Sequence, residues 1–421
     1  MSFKSDFPIL KNKIREYPIT YLDSAASTQK PEEVINSISE FYQNSYENVH
    51  RGMNTLSIKA TDIFERAREN VRSFINANSI NEVIFTAGAT DSINKISQCL
   101  PQLLNDGDKI VITELEHHSN YLPWLQIAKK FNFVIEVVVV NENGNITEED
   151  IINACDQSTK FLALTHMSNV TGQIIDIKKI KENISSDILI AVDGCQSIAH
   201  INIDVQDLGC DFYSFSSHKL YGPSGIGIMF GKEKLLESLE PPSLGGGMIN
   251  NVSLDSFSYA MLPNKFEAGT PPIEAVAGMN TAIEYLNRIN FSDYFEEEKK
   301  LRLTLIDHFK SMDEIEFYGY DQEINASSIV SFNVKDKNYN DISTFLDQFG
   351  IMIRGGHHCC QPLHKILGAK GSMRASLYFY NSRDDVDAFI EKERGYKCSR
   401  IRLPIYWEIY SHTLLLNTRF I

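Results

Sequence analysis

The chain has 421 residues, 43% hydrophobic and 23% charged, a balance that excludes disordered and fibrous classes. At ~150 residues per domain it holds two or three domains. Forty Lys and Arg against 55 Asp and Glu leave a formal charge of -15, which repels phosphate backbones and excludes generic nucleic-acid binding. No apolar run reaches the ~20 residues of a membrane helix; the best, 133–140, is interrupted by Glu136. The first residues carry Lys4 and Asp6 where a signal peptide needs an apolar core. Seven scattered cysteines without a C-x-x-C pair fit a reducing compartment. The expectation is a soluble, cytoplasmic protein without membrane or nucleic-acid partners.

From residue 83 to 231 short apolar runs alternate with amphipathic stretches. Strands are predicted at 83–86, 109–113, 133–140, 161–165, 188–192, 212–215 and 225–230, with helices such as 91–103 and 121–131 between them. Apolar strands separated by helices read as an α/β fold, with a mostly parallel sheet covered on both faces. Such sheets bind ligands in the loops that follow the strands. Beyond Pro271 the rhythm changes. Long helices are predicted at 273–290 and 295–312, then strands at 328–334, 351–354 and 376–379, interleaved with helices at 340–348 and 383–393. The expected division is an N-terminal segment over 1–20 packing on the small domain, a large domain over 21–272, a connecting helix with a small α+β domain over 273–393, and an atypical tail over 394–421. That tail is basic and aromatic without clear period, and reads as a docking tail or as the product of a shifted reading frame.

Five segments carry residues that are costly unless used. Thr86-Ala87-Gly88-Ala89-Thr90-Asp91 turns from a strand into a helix, which makes a phosphate cup or an ordinary helix cap. His117, within Glu114-Leu115-Glu116-His117-His118-Ser119-Asn120, stands where it stacks on a flat cofactor and moves protons, or simply caps a turn. Asp193, at the end of an apolar strand, needs a cationic partner such as a pyridinium nitrogen, or caps the next helix. Lys219, 26 residues further on and flanked by hydroxyls, is placed for a Schiff base. The fifth segment is Arg354-Gly355-Gly356-His357-His358-Cys359-Cys360. Adjacent residues rarely converge on one tetrahedral metal, so a mobile loop with a reactive thiol fits better, with cationic His and Arg neighbours favouring the thiolate.

Taken in order, Tyr21-Leu22-Asp23-Ser24-Ala25-Ala26-Ser27, Glu116-His117-His118, Thr165-His166-Met167-Ser168-Asn169, Val192-Asp193-Gly194-Cys195-Gln196, Ser216-Ser217-His218-Lys219-Leu220-Tyr221-Gly222-Pro223, Phe266-Glu267-Ala268-Gly269-Thr270-Pro271 and Arg354-Gly355-Gly356-His357-His358-Cys359 resemble the SUF-system (SufS-like, group II) cysteine desulfurases. These belong to the class V aminotransferases among the pyridoxal-phosphate enzymes of fold type I. The resemblance implies a seven-stranded large domain and pyridoxal 5'-phosphate as cofactor. Lys219 would hold the cofactor and move the Cα proton, Asp193 would pair with the ring nitrogen, and His117 would stack on the ring as acid and base. Gln196 and Asn169 would contact the phenolic oxygen or substrate. Ala89, Thr90, Ser216 and His218 would hold the phosphate, with Thr270 donated by the second subunit of a homodimer. Arg374 would clamp the substrate carboxylate, His50, near the dimer interface and the site's mouth, would help bind substrate, and Cys359 would take the substrate's sulfur as a persulfide for iron–sulfur cluster assembly.

Cys195 and Cys360 stand where relatives commonly carry Ala, and Ser217 where Gly is common. Selenocysteine lyase shares fold and cofactor and is the alternative activity. A non-catalytic protein with a His/Cys metal loop is the alternative of another class, and the joint presence of Lys219, Asp193 and His117 speaks against it. Relatives pass sulfur to a SufE-like or SufU-like acceptor; Asn340 before Asp341, where the zinc-scaffold-partnered relatives have His, favours the SufE-like partner.

Overall fold

The computed structural model describes residues 3–321, 324–326 and 328–398. Its main sheet has seven strands: β1 (Val83–Thr86), β2 (Lys109–Thr113), β3 (Val134–Val138), β4 (Thr159–Thr165), β5 (Leu189–Asp193), β6 (Phe212–Ser216) and β7 (Gly227–Gly231). Their spatial order is β1-β7-β6-β5-β4-β2-β3. Strands β2 to β6 are parallel, and β7 runs antiparallel to both its neighbours. No crossover helix lies between β6 and β7, only a one-turn helix and a loop, so the chain can only return antiparallel.

Alternation along the strands divides the core. Val83, Phe85, Val111, Leu162, Leu164, Tyr213 and Phe215 pack in one apolar cluster, whereas Ile84, Ile110, Ile112, Phe161, Ala163 and Phe212 pack in another. Successive side chains point to opposite faces, so the two clusters are the two sides of the sheet. Every residue of β1, β2, β6 and β7 is buried, as expected for strands covered on both faces.

The helix Ile273–Leu286 leads away from this sheet. A Cβ at Gly278 would lie 2.7 Å from Ile38 Cγ1, so the helix Glu32–Asn44 packs against it at glycine distance. After the helix Phe291–Lys310 comes an antiparallel sheet of β8 (Ile315–Tyr318), β9 (Ile329–Val334), β10 (Arg354–Gly356) and β11 (Ser372–Ser376), in the order β8-β9-β11-β10.

The second half departs from the sequence expectation in several places, and β8 and the helix Gln361–Ile366 have no expected counterpart. The run 351–354 divides, because Ile351–Met352 pairs in parallel with Thr20–Tyr21 while Arg354 begins the pairing with β11. The strand expected at 376–379 lies instead at Ser372–Ser376, and the buried run Leu377-Tyr378-Phe379-Tyr380 serves as packing. The last helix, Arg383–Cys398, continues past 393, and residues 399–421 of the tail lie outside the described residues. At the other end of the chain, Phe7 packs on Tyr221, Tyr285, Phe379 and Tyr380, and Lys4 pairs with Asp385 at 2.6 Å. Among the described residues no helix is long and apolar enough to cross a membrane.

Candidate active site

The C-terminal ends of β1, β2, β4, β5 and β6 open on one cleft with a cavity volume of about 200 Å³, and the second sheet closes its far side. Behind β1 the chain turns at Gly88 (φ 146°) into the helix Ala89–Cys99. The Ala89 N–H donates to Ser216 Oγ at 2.8 Å, and Thr90 Oγ1 meets Ser119 Oγ at 2.8 Å. A Cβ on Gly227 would sit 2.5 Å from Gly88 Cα, so β7 lies this close to the cup only as glycine. The first N–H groups of a helix lack intrahelical acceptors and sit at the positive end of its dipole, which makes the cup a place for an anion. Ser216, His218 and Lys219 line the same corner.

Asp193 ends β5 and is 5% exposed. Its Oδ1 accepts the Cys195 N–H at 3.0 Å, and it has no ion-pair partner among the described residues. A Cβ at Gly194 would fall 2.1 Å from a Tyr213 ring carbon, so only glycine passes the turn that points Asp193 into the cleft. A buried carboxylate without a cation is costly, and a protonated ring nitrogen is the partner it fits. Lys219, in the short turn Ser217–Lys219 after β6, faces the same space, and its Nζ makes no hydrogen bond among the described residues.

His117 lines the cleft between these groups. Its Nδ1 accepts the Ser119 backbone N–H at 3.1 Å, which leaves the ring proton on Nε2. Burial, and then the charge of Lys219, lower its pKa to about 3, so the ring is neutral. Beneath it Glu116 is fully buried and accepts from Thr165 N (2.9 Å), Thr113 Oγ1 (2.9 Å) and Asn120 Nδ2 (2.5 Å). Burial raises its carboxyl to about 8 despite these donors.

Across the cleft Arg374, 2% exposed, donates Nη1 to Asn169 O (2.9 Å) and Nη2 to Asp23 Oδ1 (3.2 Å), while its buried Nε has no partner. Arg354 reaches the other Asp23 oxygen at 3.7 Å. Burial outweighs the two arginines and raises the Asp23 pKa. Asn169 also donates Nδ2 to His358 O at 2.8 Å.

The two adjacent thiols have opposite surroundings. Cys359 is exposed at the cleft, whereas Cys360 is fully buried with Sγ 3.3 Å from Glu116 O, and burial pushes its thiol pKa up. The expected cationic histidine beside Cys359 is not met at His358. Burial, then Arg374, lower its pKa to about 2, so that ring is neutral.

Of the sequence-derived residues, Ala89, Thr90, His117, Asn169, Asp193, Ser216, His218, Lys219, Cys359 and Arg374 line the cleft together. Gln196 stands behind the wall and donates Nε2 to Ala25 O at 2.9 Å. Thr270 and His50 lie outside it within the chain. His50 begins an ion-pair chain in which it meets Glu65 (2.8 Å), Glu65 meets Arg68 (3.0 Å) and Arg68 meets Glu267 (2.7 Å), which precedes Thr270 by three residues. Sequence reasoning gave Asp23 and Glu116 no role in the site, and took Arg354 and His358 only as cationic neighbours of Cys359. Asp23 carried the same signal as Asp193, an acid ending an apolar stretch.

The class-V aminotransferase family model matches residues 20–389. The chain belongs to the class V aminotransferase family. Among relatives, a probable cysteine desulfurase of Halalkalibacterium halodurans is 41% identical over 93% of this chain and 97% of its own. Among solved structures, the cysteine desulfurase CsdA of Escherichia coli, in an S-sulfonic acid form, superposes with a TM-score of 0.86 at 35% identity over 94% of this chain and 98% of its own. The apo cysteine desulfurase of Thermococcus onnurineus gives a TM-score of 0.88 at 34% identity over 93% and 96%. The fold is that of the fold type I pyridoxal-phosphate transferases. In this class V aminotransferase, the cup at Ala89 fits a phosphate, Asp193 fits a pyridinium nitrogen and Lys219 fits the aldehyde, so the residues present fit pyridoxal 5'-phosphate.

Proposed function

We propose that the chain is a pyridoxal-phosphate-dependent cysteine desulfurase that converts L-cysteine to L-alanine and takes the sulfur as a persulfide on Cys359. The observation that carries this reading is the exposed Cys359 facing the same cleft as Lys219, Asp193 and His117. The names of the 41%-identical relative and of the two solved structures support it.

Bound pyridoxal phosphate supplies the electron sink for a carbanion at the substrate Cα. Lys219 would hold it and carry the Cα proton, while Asp193 would keep its ring nitrogen protonated. Ala89, Thr90, Ser216 and His218 would anchor the phosphate. Arg374 would bind the substrate carboxylate, Asn169 and Gln196 would orient ring and substrate, and neutral His117 would stack and donate from Nε2. The Cys359 thiolate attacks the substrate sulfur. The new S–S bond forms as the substrate Cβ–S bond breaks, its electron pair stays with carbon, and Cβ takes up a proton. The products are alanine and a Cys359 persulfide, with no external oxidant.

The finer assignment is a SufS-like member supplying iron–sulfur cluster assembly in the cytoplasm, with a SufE-like acceptor. It works as a homodimer, with Thr270 and His50 serving the partner's cleft; their place outside this chain's own cleft supports that. The test is incubation of the purified, cofactor-loaded protein with L-cysteine and a thiol reductant. Equal alanine and sulfide support the reading. No alanine refutes it, and a large kinetic preference for selenocysteine replaces it with selenocysteine lyase.

A further inference from the structure

The loop that carries Cys359 is held in an uncommon conformation. His358 and Cys359 both have left-handed backbone, at φ 51° and 55°. Two successive non-glycine residues of that kind persist only where their surroundings over-determine them. Asn169 and Ser372 hold His358, the former through the His358 carbonyl at 2.8 Å and the latter through its Nε2 at 3.0 Å, and the hold on Cys359 comes from one segment of the opposite sheet. The His118 N–H donates to Cys359 O at 2.8 Å, and the Gln361 N–H donates to His118 Nε2 at 3.2 Å. A backbone N–H can only donate, so His118 Nε2 carries a lone pair and its ring is neutral with the proton on Nδ1. These two bonds bracket the nucleophile, one on its own carbonyl and one two residues on. The buried Cys360 Sγ, 3.3 Å from Glu116 O, adds a third contact with the same segment. His118 directly follows His117, so the chain that places the ring facing the cofactor also places the thiol.

We propose that His118 is a positioning residue that fixes Cys359 Sγ over the cleft and thereby serves sulfur transfer, without taking part in cofactor or substrate binding. This rests on the reading of Cys359 as the nucleophile. A misplacement of about 1 Å costs on the order of 100-fold in a step that depends on alignment.

The side chain is tested with His118→Phe, which keeps a ring and removes the acceptor, and with His118→Gln, whose Oε1 reaches about as far as Nε2. Three readouts are taken on the cofactor-loaded protein: the visible cofactor band, the half-saturation of its change with L-cysteine, and the single-turnover rate of persulfide formation by mass spectrometry. For His118→Phe the first two stay within about twofold, while persulfide formation falls at least tenfold, and His118→Gln restores most of it. Unchanged persulfide formation in His118→Phe overturns the proposal. So does loss of the cofactor band or of half-saturation in step with persulfide, without rescue by Gln, because that is the signature of a general structural role. Cys359→Ala is run alongside. If that variant still produces alanine and sulfide at the wild-type rate, the nucleophile reading fails on its own account, whatever the His118 variants do.

Discussion

Replacing Arg374 with Lys keeps the positive charge and removes the fork. In the structure the guanidinium is already committed at two nitrogens, Nη1 to Asn169 O and Nη2 to Asp23, and its Nε is a buried donor with no partner. One ammonium cannot hold Asn169, Asp23 and an incoming carboxylate in one plane. A hydrogen bond to a charged group contributes about 1.5–3 kcal/mol. Losing one such bond to the substrate carboxylate therefore lowers kcat/KM for L-cysteine by about 10- to 150-fold, at about 1.4 kcal/mol per tenfold. Most of the loss falls on KM, because the carboxylate is held alike before and during the reaction. Steady-state alanine release across a cysteine titration measures it, and a melting curve shows whether the protein stays folded. A KM within about twofold of wild type would refute the assignment of Arg374 to the carboxylate.

Arg68 is fully buried and meets both Glu267 oxygens at 2.7 and 3.0 Å, so Arg68→Met strands a nearly buried carboxylate and costs about 3–5 kcal/mol of unfolding free energy in a denaturant titration. Glu116 has a folded-state pKa of about 8 against 4.5 for the free side chain, so the native state keeps a proton that the unfolded chain releases. Its contribution is fully present below pH 4.5 and is lost as pH rises toward 8, with a slope of up to about 1.4 kcal/mol per pH unit; Glu116→Gln removes that slope from the stability profile measured by denaturant titrations. In native protein iodoacetamide labels Cys359, whereas Cys360 stays protected until unfolding, as peptide mass spectrometry would show.

The main sheet was legible because buried parallel strands are continuous apolar runs, and its loops were legible because Lys219, Asp193 and His117 are costly at strand ends. Strand direction was not. Nothing in 225–230 distinguishes the antiparallel β7 from its parallel neighbours, since only the short connection after Lys219 sets its sense. In the second sheet, the apolar run 377–380 carries the strand signal but packs against Phe7 and Tyr221, while the true strand, Ser372-Met373-Arg374-Ala375-Ser376, hides its pattern under buried polar residues, of which Arg374 lines the cleft. Glu116 was given no role because its part depends on burial, and His358 was expected as a cation because adjacent histidines in a sequence give no sign that one is neutral. Thr270 and His50 were named only through the family resemblance, and the single chain leaves both outside its own cleft.

The central claim is tested most directly by treating cofactor-loaded wild type and Cys359→Ala with L-cysteine and identifying the sulfur-carrying residue by peptide mass spectrometry, with alanine measured in parallel. The account predicts one added sulfur atom on Cys359 in the wild type, and in the variant a retained cofactor band with collapsed alanine release. Sulfur on Cys360, or undiminished alanine and sulfide from the variant, would contradict it.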